Sequence, residues 1–196
     1  MNKKLDIYRQ VARLHIACLD QGFLSTLGSG FLTELYRSID KCPQAVLIVK
    51  CEQGVVIGFV TGLSGPMSLI YRRMILRFPL WAWRLFPILF SPKRIWQMIE
   101  ILRYVKSNNE QSNLPISELL SIAVTPNCRG KGFADAMYTD LIKHFERMKV
   151  EFFKIVVGDS LTPAHKFYER MGAKVVTEKE VHHGIRSIVY IQKVGL

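Results

Sequence analysis

Four consecutive residues, Arg129-Gly130-Lys131-Gly132, combine two cations with two glycines where an apolar run ends and an amphipathic one begins. Glycine lacks the β-carbon that blocks a close approach, so successive backbone N–H groups can turn toward one point. At the positive end of a helix such a turn is a site for an anion. Phosphate suits this chemistry, and glycine-rich strand-to-helix turns serve many phosphate ligands.

A strand before the turn and a helix after it must hold that geometry. Leu119 to Val124 is an apolar, partly β-branched run stopped by Thr125-Pro126-Asn127, which predicts the strand. Ala134, Met137, Tyr138, Leu141, Ile142 and Phe145 recur at helical spacing as one apolar stripe. A further strand is expected over Phe152 to Val157, then a helix in which Ala164, Phe167, Tyr168 and Met171 share a face. Ala173 to Val181 and Arg186 to Val194 read as two closing strands, joined through His182, His183 and Gly184. Upstream, Ile7, Val11, Leu14 and Cys18 predict a first helix, broken at Gln21-Gly22. Phe31, Leu32, Leu35, Tyr36 and Ile39 form the apolar face of a second, which Ser25 or Ser29 would cap. Ala45 to Val49 and Val55 to Val60 are expected as strands of a hairpin through Glu52-Gln53-Gly54, with Gly62 and Gly65 marking the exit from the sheet.

At 196 residues the chain suits a single domain, 1–196. Hydrophobic residues make up 49%, yet no run approaches the roughly 20 apolar residues of a membrane span. The basic start, Met1 to Arg9, has no apolar core behind it, so nothing argues for export. Cys18, Cys42, Cys51 and Cys128 show neither metal-ligand spacing nor a disulfide framework, which suits a reducing cytoplasm and no metal.

The net charge of +11 is concentrated. Residues 66–106 carry Arg72, Arg73, Arg77, Arg84, Lys93, Arg94, Arg103 and Lys106 against Glu100 alone, together with Trp81, Trp83 and Trp96. A basic surface attracts any anion, so charge by itself does not choose between a nucleotide cofactor, a lipid and nucleic acid. Phe78 to Phe90 is aromatic but broken by Pro79, Arg84 and Pro87, and too short to span a bilayer. Ser91-Pro92 then opens an amphipathic helix to about Lys106. Two readings of this segment stay open. Either it packs on the sheet or on a second subunit, or it is a lid and peripheral membrane contact through 78–106. No recognised motif points to nucleic acid.

Arg129 to Ala134 matches the pattern Arg/Gln-x-x-Gly-x-Gly/Ala of the GNAT acetyltransferases, whose loop binds the pyrophosphate of acetyl-coenzyme A. Thr162 to Ala173 resembles the family's second signature, Asn-x-x-Ala-x-x-Phe-Tyr-x-x-x-Gly-Phe. Leu161 stands where the Asn is usual, leaving Asp159 or Ser160 as substitutes for its polar contact. The resemblance covers residues 115–194 closely and the first 62 more loosely, with 66–106 as an insertion. The family's opening strand is reduced to about Lys4 to Ile7, or absent.

This resemblance implies an α+β fold of α/β/α layers, the GNAT acyl-CoA N-acyltransferase fold, with a splayed, mostly antiparallel mixed sheet and here a helical insertion. It also assigns roles. Ile122, Ala123 and Val124 would pair with the pantetheine of acetyl-CoA beside the splay, a backbone N–H of Ile122 or Val124 bonding the thioester oxygen. Arg129, Gly130, Lys131, Gly132, Phe133 and Ala134 would hold the pyrophosphate, with His165 or Lys166 near other parts of the nucleotide. Tyr168 corresponds to a general acid toward the departing sulfur, or packs on its apolar stripe. Glu118 resembles in position a general base, His182 and His183 being alternatives. Phe23, Leu24, Ser25 and Leu27 fall on the wall that would meet the acceptor.

The implied activity is acetyl transfer from acetyl-CoA to a primary amine. Gly22 to Tyr36 resembles the opening of bacterial GNAT proteins associated with surface polysaccharide, which puts an amino sugar ahead of polyamines or a protein terminus. The alternative is a non-catalytic CoA-binding or membrane-associated interaction protein on the same fold. The expected setting is the cytoplasm or its membrane face, with a homodimer as the candidate assembly.

Overall fold

The computed structural model describes residues 3–19, 23–75, 114–182 and 185–195. They group into two compact units, one within Met1–Cys42 and Met67–Leu114, the other within Pro43–Pro66 and Pro115–Leu196. The tryptophan-rich stretch 78–90, the helix predicted from Ser91 to Lys106 and the break at Gln21-Gly22 lie outside the described residues.

The first unit is helical: α1 (Lys3–Cys18), α2 (Phe23–Thr26), α3 (Gly28–Asp40) and α4 (Ser68–Ile75). Helical periodicity holds from Lys3 onward, so an opening strand around Lys4 to Ile7 does not form. Val11, Ala12 and Leu14 of α1 and Leu32, Leu35, Tyr36 and Ile39 of α3 are buried and make the core of this unit. Two polar ties fasten the same helices. The Tyr8 hydroxyl donates to Asp40 Oδ2 at 2.6 Å, and His15 Nδ1 bonds the Tyr36 hydroxyl. Burial and Asp40 push Tyr8 up to about 12. Neither serine caps α3. Leu27 holds the cap position with no side-chain bond, Ser29 lies inside the first turn, and Ser25 Oγ donates to the Leu19 carbonyl at 2.6 Å.

The second unit is a six-stranded sheet with two helices, comprising β1 (Ala45–Glu52), β2 (Val55–Leu63), β3 (Glu118–Val124), α5 (Phe133–Arg147), β4 (Phe152–Gly158), α6 (Thr162–Arg170), β5 (Lys174–His182) and β6 (Ile185–Lys193). The strand order is β1-β2-β3-β4-β6-β5. Every neighbouring pair is antiparallel except β3–β4, which is parallel. The fold is therefore α+β with a mixed, mostly antiparallel sheet, as the resemblance implies. Glu52 pairs with Val55 across Gln53 (φ 48°) and Gly54 (φ 81°), the two positive φ values that a two-residue hairpin turn needs.

Gly62 does not end β2, which runs on to Leu63. A β-carbon there would lie 2.5 Å from Leu141 Cδ1 and 2.8 Å from Phe145 Cζ, so this glycine lets α5 settle onto the strand. The predicted stripe of α5 does the packing. Met137, Tyr138, Leu141 and Phe145 are fully buried in one cluster with Leu119, Phe153, Ile155, Val157, Tyr168 and Tyr190. Each such side chain contributes about 1.5–3 kcal/mol relative to exposure. Among the described residues no helix is long and apolar enough to cross a membrane.

Candidate active site

β3 and β4 touch only at their beginnings. Glu118 pairs with Lys154 and Leu119 with Ile155, and the Lys154 N–H donates to the Ser117 carbonyl at 2.9 Å. Beyond that point β3 stays with β2 while β4 stays with β6, so the sheet opens between them. A bulge marks the opening. Thr61 pairs with Ser121 and Gly62 with Leu119, which leaves Leu120 without a partner on β2. Thr61, fully buried, fastens the next position with a 2.7 Å bond between its hydroxyl and that of Ser121.

The phase of the β2–β3 ladder fixes which backbone groups face the opening. The Thr125 N–H donates to the Ile57 carbonyl at 2.8 Å, and antiparallel pairs alternate between bonded and non-bonded. Ala123 and Ser121 therefore turn their N–H and C=O groups to Phe59 and Thr61. Ile122 and Val124 turn theirs the other way, toward the edge that β4 has left. The Val124 carbonyl accepts from Arg129 Nε at 3.2 Å, which folds the arginine back onto the end of the strand.

After a short 3-10 turn, Pro126–Cys128, the chain reaches the glycines. Gly130 has φ 73° and Gly132 φ 77°, values that L side chains rarely adopt. A β-carbon on either would meet nothing within 4 Å, so it is the backbone conformation, not crowding, that requires glycine. Gly132 is the N-cap of α5, and the first helical bond runs from the Ala136 N–H to its carbonyl at 3.0 Å. The N–H groups of Phe133, Ala134 and Asp135 come before that bond, at the positive end of the helix. Arg129 and Lys131 are exposed beside them. Asp135, the one acidic residue of this first turn, is paired with Arg170 of α6 at 2.6 Å, and Arg170 also lies over the Phe167 ring.

Tyr168 is buried among the rings of Tyr138, Phe167 and Tyr190. Burial raises its pKa, so the phenol holds its proton at neutral pH. Glu118 is pushed upward by burial and partly drawn back by Lys154, whose Nζ lies 3.5 Å from its carboxylate. Side chains alternate along a strand, so Glu118 and Lys154 stand on the sheet face opposite Leu119 and Ile155, which cluster with Tyr168. Glu118 and Tyr168 therefore belong to opposite faces of the sheet.

Both ring nitrogens of His165 are engaged within the fold. Nδ1 bonds the Tyr190 hydroxyl at 2.8 Å, and Nε2 faces the Gly158 carbonyl at 3.0 Å and the Asp159 carbonyl at 3.2 Å. That ties α6 to the end of β4. Phe23, Leu24 and Ser25 belong to α2 of the helical unit, where Leu24 is half-buried and Ser25 is bonded to Leu19. His183 and the side chain of His182 lie outside the described residues. Sequence reasoning missed Lys154 and the Leu120 bulge. The alternation of Phe153, Ile155 and Val157 signals that Lys154 faces away from the helices, but only the parallel register puts it beside Glu118.

A family model described as the Acetyltransferase (GNAT) family matches residues 16–173. The chain belongs to that family. It is an acetyl-CoA-dependent N-acetyltransferase. Solved structures with a similar fold include a protein assigned to the GNAT family from Desulfovibrio desulfuricans, 12% identical over 97% of this chain and 94% of that one, at a TM-score of 0.62. An aminoglycoside 6′-N-acetyltransferase in complex with coenzyme A is 11% identical over 96% and 91%, at 0.57. The ribosomal-protein-S18-alanine N-acetyltransferase of Escherichia coli is 13% identical over 84% and 77%, at 0.51. At these identities the likeness shows the fold alone. Among curated proteins none matches the sequence.

The residues present suit the GNAT cosubstrate. Acetyl-CoA brings a diphosphate, which the cations and N–H groups around Gly130–Gly132 can receive, and a linear pantetheine arm with amides to pair along the edge that Ile122 presents.

Proposed function

We propose that this GNAT enzyme acetylates the primary amine of an amino sugar, with surface polysaccharide as its setting, and that 1–196 acts as one domain. The observation that carries the choice of acceptor is the segment Gly22 to Tyr36, with its resemblance to bacterial GNAT proteins of polysaccharide assembly. Fold likeness does not choose, because it extends to an aminoglycoside acetyltransferase and to a ribosomal-protein-alanine acetyltransferase alike. In this reading Phe23, Leu24 and Ser25 contact the acceptor. The single-domain reading is supported by a family match that runs through residues of both units.

Acetyl-CoA supplies the activated acetyl group as a thioester. The chain supplies the rest. Arg129, Lys131 and the N–H groups from Gly130 to Ala134 hold the diphosphate, and Ile122 to Val124 hold the arm. An alkyl ammonium with pKa near about 10 is mostly protonated at neutral pH and must lose a proton before it can attack. Glu118 takes that proton. The Ile122 N–H, aimed at the opening, donates to the carbonyl oxygen as charge grows on it. Tyr168, holding its proton, donates toward the departing sulfur.

The deciding experiment is a thiol-release assay with acetyl-CoA and a panel of amines: glucosamine and nucleotide-linked amino sugars, spermidine, and a peptide with a free alanine terminus. Turnover at least tenfold faster with an amino sugar supports the reading, and preference for the peptide or the polyamine overturns it. The basic aromatic stretch 78–106 is proposed as a peripheral membrane contact, on sequence alone. Deleting 78–90 is expected to abolish sedimentation with anionic vesicles. Loss of a homodimer with vesicle binding intact would overturn that assignment.

A further inference from the structure

We infer that Lys154 is a positioning residue for the reaction, its ammonium pairing with the Glu118 carboxylate and orienting it at the point where β3 and β4 part. The inference rests on the reading of Glu118 as the base, and goes beyond it by naming what sets that base.

Geometry carries it. Glu118 and Lys154 are directly paired in the parallel register, so their side chains rise from the same face, and Nζ lies 3.5 Å from the carboxylate. The backbone bond from the Lys154 N–H to the Ser117 carbonyl pins that register within one residue of the pair. Both side chains are largely shielded, 16% exposed for Lys154 and 30% for Glu118. The flanking positions of the same row are apolar. Leu63 of β2 stands opposite Glu118 and Ile191 of β6 opposite Lys154, and the next charge along, Lys174 of the edge strand β5, pairs with Ile191 and is exposed. Lys154 is thus the only charge abreast of Glu118 among these paired neighbours.

A shielded ion pair is weak ground for stability, because desolvating two charges offsets most of their attraction. Its effect on Glu118 is direct. In apolar surroundings alone the carboxyl would favour its protonated form and could not accept a proton; the neighbouring ammonium opposes this. An opposite charge at such a distance moves a carboxyl by about 1–3 pH units. Removing the ammonium therefore raises the midpoint of Glu118 further, so the carboxylate form is reached only at higher pH.

The test is carboxyl 13C NMR titration of the full chain labelled with δ-13C glutamate, comparing wild type with Lys154→Met and Lys154→Arg, with Glu118→Gln identifying the resonance. The Glu118 midpoint is expected to rise by at least one pH unit in Lys154→Met and to return to within half a unit of wild type in Lys154→Arg. The acidic limb of kcat/KM, measured with glucosamine, should move by the same amount while the Kd for acetyl-CoA stays constant. An unmoved midpoint in folded Lys154→Met overturns the inference, and Lys154→Gln repeats the measurement should the methionine variant not fold. If Glu118→Gln retains the wild-type acidic limb, it is the reading of Glu118 as base that fails, whatever the titration shows of Lys154.

Discussion

Replacing Gly132 by Asp and by Asn separates charge from shape at the glycine turn. The site has φ 77° and ψ 1°, and an added β-carbon meets nothing within 4 Å, so both variants fit without a clash. The left-handed conformation costs an ordinary L residue about 1–2 kcal/mol, and Asn and Asp tolerate it better. A carboxylate at a helix N-terminus returns about 0.3–1 kcal/mol. Stability should therefore change by no more than about 1 kcal/mol, or about 2–4 °C in Tm for a chain of this size. Ligand binding should behave differently. A single negative charge about 5 Å from a doubly charged diphosphate is opposed by about 1.7 kcal/mol even at the dielectric constant of water, and by more in a shielded turn. At about 1.4 kcal/mol per tenfold, Gly132→Asp should bind acetyl-CoA at least tenfold more weakly than Gly132→Asn. Isothermal titration of both variants measures the difference, and raising the ionic strength should narrow it. Equal affinities within threefold, in two folded variants, would refute the placement of the diphosphate at this turn.

Three further outcomes are expected. Gly62→Ala should lower Tm by about 3–5 °C in a thermal melt: overpacking against fully buried Leu141 and Phe145 costs about 1–3 kcal/mol, less about 0.4–1 kcal/mol recovered from the unfolded chain, a net of about 1.3 kcal/mol at the centre of these ranges. Tyr168→Phe should lower kcat by at least about tenfold while leaving the Kd for acetyl-CoA unchanged, since only the proton donor is removed. His15 is held down to about 4 by burial beside Tyr36, so the folded state binds its proton less readily than the unfolded state does. The stability this gives is complete above the ordinary value of about 6.5 and falls as pH drops below it, the loss reaching about 3 kcal/mol by pH 4. Urea melts at pH 7.5, 5.5 and 4.5 should show the decline, and His15→Gln should flatten it.

The glycine turn was legible because everything it needs is contiguous: the run from Leu119, the stop at Pro126, the glycines, and a stripe from Ala134 to Phe145 that survives as the buried face of α5. The opening between β3 and β4 was legible only through family resemblance. It depends on where two strands 36 positions apart in register stop pairing, and no local pattern records that. Leu120 looks like any other apolar residue of the run, yet it is the one the β2 ladder skips. The capping rule misplaced Ser25 and Ser29 because it weighs residue type alone; Ser25 is used instead to fasten the chain to Leu19 at the end of α1. Gly62 was taken as punctuation, whereas the crowding that demands it comes from a helix more than seventy residues away.

The arrangement of Glu118 and Tyr168 bears on why the sheet is open at all. Their side chains belong to opposite faces, Glu118 beside Lys154 and Tyr168 within the cluster under α5 and α6. In a continuous sheet a row of backbone would separate them, and no single acceptor nitrogen and sulfur could be served by both. Pairing stops one residue after Glu118, so the opening begins beside that carboxylate. On the proposed reading the opening is thus a passage joining base to acid as well as a slot for the pantetheine arm. At the same level the bulge at Leu120 shifts the β2–β3 register by one residue without ending the strand, so β3 stays anchored to β2 where it parts from β4.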